Sequence, residues 1–173
     1  MTTQTIENMG SEMRYILRIV SHERDLNNAT LFLGSDQNLL LKTPAGGIAE
    51  QPIVVKSGRS HSTILVDSPA EEALILQGPS GKGEHQLRAS SKVTPFGIGS
   101  TICHDSWEVV NDASTQRLLL RYRNENLGNR SWVAVPPRGP EEDAWSVWWY
   151  EPLPFNARDL PGAVAVDVEV VPV

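Results

Sequence analysis

The sequence predicts an all-β domain of twelve short strands in three sets of four, and three observations lead there. Apolar residues recur at every second position within short runs, the spacing of a half-buried strand. Each run stops at a cluster of Gly, Pro, Asn, Asp or Ser, residues that turn the chain. The 12 prolines and 13 glycines are spread evenly, which leaves little uninterrupted room for a long helix.

The elements follow in order. Residues 1–14 are polar and are expected to form a flexible tail, and residues 15–173 a single all-β domain. YILRIVSH, from Tyr15 to His22, alternates apolar with charged or polar positions, and ATLFLGS, NLLLKTP and PIVVKSG complete a first set that ends at Gly58. TILVDSP, ALILQGP, HQLRASS and SWEVVND form a second set between Thr63 and Asp112. LLLRYRN, WVAVPP, WSVWWYE and AVAVDVEVV form a third between Leu118 and Val171. Trp107 opens the stretch from Ser106 to Tyr150, and the other four of the five tryptophans lie between Trp132 and Trp149. Thr43-Pro44-Ala45-Gly46-Gly47-Ile48 has a partial echo in Thr94-Pro95-Phe96-Gly97-Ile98, 51 residues on. Leu153-Pro154-Phe155 stands at the corresponding place in the third set, without the glycine.

Three such sets are the layout of a β-trefoil, a barrel closed at one end by three hairpins. The run Asp105-Ser106-Trp107-Glu108-Val109-Val110, a polar turn and Leu118-Leu119-Leu120-Arg121-Tyr122 resembles the boundary between two trefoil repeats. Pro52-Ile53-Val54-Val55, Ser57-Gly58-Arg59-Ser60 and Thr63-Ile64-Leu65-Val66 mark the preceding boundary. With a single cysteine and an acidic balance, the layout over residues 15–171 resembles the fungal protease inhibitors of the mycocypin type, although Ile53 stands where Trp107 would have its counterpart. The resemblance implies a binding protein that works through rigid loops. For papain-type proteases it points to His22–Asn28 and Asp67–Glu71. In the Kunitz-type plant inhibitors, which share the layout, the loop between the fourth and fifth strands carries the reactive bond.

That loop is Ser57-Gly58-Arg59-Ser60-His61. An inhibitor of a trypsin-like protease needs an extended, preorganised segment with a basic residue to enter an acidic specificity pocket, and Arg59 is placed to supply it. A protease is therefore the favoured partner. A second candidate is Trp148-Trp149-Tyr150, where strand alternation sends one indole inward and the next outward. An outward Trp beside Tyr150 offers a rigid face to a glycan, a lipid or a protein. The ricin-type lectin repeat Gln-x-Trp is absent.

The order of RLLLRYRNENLGNRSW and the closing Gly-Ala-Val-Ala-Val also resembles the β-sandwich of aegerolysins and actinoporins, which bind membrane lipids. In that alternative Trp132, Trp148, Trp149 and Tyr150 form a lipid-facing belt. A trefoil makes Ile53, Trp107 and Val168 equivalent; a sandwich clusters exposed tryptophans.

Other classes are disfavoured. With 21 acidic and 15 basic residues, net −6, the chain repels a phosphate backbone, so nucleic acid is not an expected partner. Lone Cys103 allows no internal disulfide, and the N-terminus has no basic region ahead of an apolar run, so the expected location is the cytoplasm. Cys103-His104-Asp105 cannot form a triad as consecutive strand residues, because neighbours face opposite ways. Gly78-Pro79-Ser80-Gly81-Lys82-Gly83 lacks the spacing and the hydroxyl of a phosphate loop. The four histidines have no metal-ligand spacing, and no cofactor or catalytic residue is assigned.

Overall fold

The computed structural model describes residues 3–4, 13–41, 51–60, 62–80, 83–94, 99–123, 130–139, 142–151 and 160–173. Among them there is no helix, and every pairing between named strands is antiparallel. The strands are β1 (Thr3–Gln4), β2 (Tyr15–Val20), β3 (Leu31–Leu33), β4 (Leu39–Leu41), β5 (Val54–Ser57), β6 (Ile64–Val66), β7 (Ala73–Pro79) and β8 (Glu84–Ser90). They continue with β9 (Ser100–Cys103), β10 (Trp107–Asp112), β11 (Arg117–Tyr122), β12 (Ser131–Val135), β13 (Trp145–Tyr150), β14 (Val164–Ala165) and β15 (Asp167–Pro172).

All twelve predicted runs contain a strand. Alternation is cleanest in β2, where Tyr15, Leu17 and Ile19 are buried and Ile16, Arg18 and Val20 are half-buried. Three features depart from the expectation. Thr3–Gln4, within the expected tail, pairs with Val109 and Val110 of β10. Ser100–Cys103 forms an additional strand on β7, and the last run divides into β14 and β15 at Val166. The Thr43–Ile48, Pro95–Ile98 and Leu153–Phe155 segments, whose likeness suggested a repeat, lie outside the described residues.

Two groups of pairings organise the molecule. In the first, β6 joins β5, β5 joins β2, β2 joins β15, β15 joins β11 and β11 joins β10. The N–H of Trp107, the first residue of β10, donates to Ser62 O just ahead of β6 at 3.0 Å. In the second, the hairpins β3–β4, β7–β8 and β12–β13 meet because β13 pairs with both β4 and β8. Both groups contribute residues to one core.

Aromatic rings form its centre. Trp107 stacks on Trp132 with centroids 6.3 Å apart, and Tyr122 meets Trp107 edge-on at 4.9 Å. Trp149 meets Trp132 edge-on at 4.8 Å, so four rings from four strands make one chain of contacts. Two of the three indole N–H groups here find acceptors, while the buried Trp149 Nε1 has none among the described residues. That of Trp107 donates to Leu74 O at 3.0 Å and that of Trp132 to Leu120 O at 2.7 Å. Glu169 of β15 is also buried, and its carboxylate accepts from Arg18 at 2.8 Å and from Arg117 at 3.2 Å, which ties β2, β15 and β11 together.

Candidate functional site

The turn between β5 and β6 is built by a short ladder that closes early. Ser57 faces Ile64, and then Gly58 N–H donates to Thr63 O at 2.8 Å. Inside this closure Thr63 N–H donates to Ser60 O at 3.1 Å, and the Ser60 and Thr63 hydroxyls bond to each other at 3.0 Å. A Cβ at Gly58 would stand 2.1 Å from Thr63 Oγ1, so only glycine lets the two strands approach this closely. Arg59 and Ser60 are exposed, and Arg59 has no hydrogen bond or ion pair among the described residues. His61 lies outside the described residues. Gly58 and Ser60 are thus bonded across to Thr63, so the described part of the segment is a closed turn where the sequence suggested an extended one.

The second candidate group lies on β13, a strand that pairs with β12, β4 and β8 and not with β5 or β6. The structure therefore does not join the Arg59 turn and the Trp148-Trp149-Tyr150 run through a common strand pairing. Val147 and Trp149 face the core, Trp149 at 4 % exposure, while Trp148 and Tyr150 are half-buried on the other face. Of the four residues proposed for a lipid-facing belt, Trp132 and Trp149 are inside the core. Among the described residues no helix is long and apolar enough to cross a membrane.

Trp148 belongs to a groove of about 510 Å³ that sequence reasoning did not find. Its floor is the sheet face where Trp148 stands opposite Gln86 of β8 and Ser146 opposite Leu40 of β4. One wall is the β3–β4 turn with Asp36 and Asn38; the other is the β12–β13 loop with Arg138, Glu142 and Asp143. The Trp148 indole N–H donates to Ser146 Oγ at 2.8 Å, which fixes the ring. Asn38 Nδ2 donates to Asp36 Oδ2 at 2.7 Å, and Arg138 N–H to Glu142 Oε2 at 2.8 Å. Asn38 Oδ1 is shut off from solvent and has no partner among the described residues.

A third cluster is internal. His85, 2 % exposed and opposite Trp149, accepts at Nδ1 a hydrogen bond from Arg130 Nη1 at 2.5 Å. A guanidinium can only donate, so the imidazole is neutral with its proton on Nε2. Burial first, and then the Arg130 charge, push its pKa down to about 4. Burial likewise pushes the Cys103 thiol up, away from the reactive thiolate. In the Cys103-His104-Asp105 run, Cys103 is buried and exposed Asp105 accepts from the Tyr122 hydroxyl at 3.2 Å. No hydrogen bond links the three among the described residues, although only Cys103 lies on a strand and His104 and Asp105 follow the end of β9, so the expected run of three strand residues is not formed. Among the described residues no three His, Cys, Asp or Glu side chains converge as metal ligands.

No family model, no curated protein and no solved structure matches the chain. Geometry and chemistry alone carry the functional reading of this all-β protein.

Proposed function

We propose that the chain is a β-trefoil binding protein that presents the Arg59 turn to a protein partner with an acidic pocket, a trypsin-like protease being the class this fits. The trefoil reading is supported by the first group of pairings, which runs β6–β5–β2–β15–β11–β10 and returns through the Trp107–Ser62 hydrogen bond. It is supported as well by the three hairpins that meet on β13. A lipid-binding sandwich instead needs an exposed tryptophan cluster, and Trp107, Trp132 and Trp149 are buried.

One observation carries the inhibitor reading: an exposed arginine, unpaired among the described residues, on a turn where Gly58 and Ser60 are hydrogen-bonded to Thr63. A rigid mount lowers the ordering cost of binding, so more of the contact free energy becomes affinity. Because the turn is closed, Arg59 docks as a tip and the Arg59–Ser60 bond is not laid along the protease cleft. Titration of trypsin with the protein is expected to abolish activity stoichiometrically, with the Arg59–Ser60 bond intact by mass spectrometry afterwards. Arg59→Ala is expected to weaken inhibition at least about thirtyfold, with an unchanged melting curve. Loss of papain activity instead would move the site to His22–Asn28 and Asp67–Glu71, and equal trypsin inhibition by the alanine variant would remove the role of Arg59.

A further inference from the structure

We propose that the groove between the β3–β4 turn and the β12–β13 loop is a binding site for a neutral sugar ring, separate from the Arg59 turn. A pyranose has an apolar face of C–H groups and a rim of hydroxyls, so a site for it needs an immobile aromatic surface ringed by side-chain acceptors and amides. This groove has those parts. Its volume, about 510 Å³, falls in the roughly 300–1,000 Å³ range of small-ligand sites. Trp148 lies on the floor with its N–H already committed to Ser146, so the indole serves as a surface rather than as a donor.

Around it stand carboxylates from two loops that do not adjoin in sequence, Asp36 on one wall and Glu142 and Asp143 on the other, with Gln86 beside Trp148. Carboxylates only accept, which suits hydroxyl donors.

Charge narrows the class. Among the described residues three carboxylates face one guanidinium, Arg138, a formal balance of −2 that disfavours phosphorylated, sulfated or carboxylated sugars. A quaternary ammonium head group is favoured by cages of several aromatic rings, and among the described residues this groove is lined by one. A neutral hexose or N-acetylhexosamine satisfies both the floor and the rim. For a ligand of that size held by one ring and a few hydrogen bonds, a dissociation constant on the order of 1 mM is expected.

The test is saturation-transfer NMR and tryptophan fluorescence titration of the full chain with glucose, galactose, mannose and N-acetylglucosamine, with choline and glucose 6-phosphate as contrasts. At least one neutral sugar is expected to bind saturably, and glucose 6-phosphate at least about tenfold more weakly than glucose. Trp148→Ala is expected to weaken the sugar at least about tenfold. Asp36→Ala, on an exposed turn outside the core, supplies a second variant with an expected loss of about threefold to tenfold and an unaltered fold. Arg59→Ala is expected to bind sugar like the native chain, so failure here and failure of the protease reading are told apart. Saturable binding of choline alone, no saturable sugar binding, or native affinity in both groove variants would overturn the proposal.

Discussion

At residue 85 the protein holds an imidazole neutral in the interior, between Arg130 and the strand that carries Trp149. A histidine with a folded pKa near 4, below its unfolded value of about 6.5, binds fewer protons folded than unfolded. Its contribution is therefore fully present above about pH 6.5 and is lost as pH falls towards 4. Between pH 7 and pH 5 the loss amounts to about 2 kcal/mol. Urea unfolding at the two values is expected to show that difference in the native chain and to lose most of it in His85→Gln, whose amide oxygen still accepts from Arg130. An equal slope in the variant would assign the acid sensitivity elsewhere. Asp67 and Asp112 act in a lower window. Their pKa values are depressed, the first mainly by the hydrogen bond from Arg14 and the second mainly by that from Thr115. Their contributions are present above about pH 4 and fade below it.

The element that tests the sequence reading hardest is the β5–β6 turn. Gly58→Ala places a Cβ against Thr63 Oγ1 and forces the ladder apart, at a cost of about 1–3 kcal/mol. Because the same bonds hold Arg59, trypsin inhibition is expected to weaken along with the melting temperature; a variant that matches the native chain in both would show that the turn is not locked. Strand alternation was legible wherever one face is buried and the other wet, as in β2 and β13. It was illegible in β9, whose four residues Ser-Thr-Ile-Cys carry no alternation and are placed by pairing with β7. Arg59 was visible because a site on one loop is contiguous in the chain. The groove was not, because Asp36, Gln86 and Glu142 come from three segments brought together only by the pairing of β13 with β4 and β8. Alternation required one of Trp148 and Trp149 to face inward, and the burial of Val147 selects Trp149.

At the scale of the molecule the pairings are mostly distant in sequence: β2 joins β15, and β13 joins both β4 and β8. Such non-local strands must close long loops before any contact rewards them, which places folding in the millisecond-to-second range rather than the microsecond one. The register of β2 with β15 has another consequence. Tyr15 lies opposite Pro172, and Val173 N–H donates to Arg14 O at 3.0 Å. The two ends of this ladder are thus neighbours, and a linker of a few residues can run from Val173 to Arg14 once the residues ahead of Arg14 are left out. The exposed Asp112–Gln116 turn, capped by Asp112 accepting from Ser114 and Thr115, is a place to open the chain afresh. A circular permutant made this way is expected to fold with native near-ultraviolet dichroism and a midpoint within about 10 °C of the parent. The order in which the strands are synthesised would then be separable from the order in which they stand beside one another.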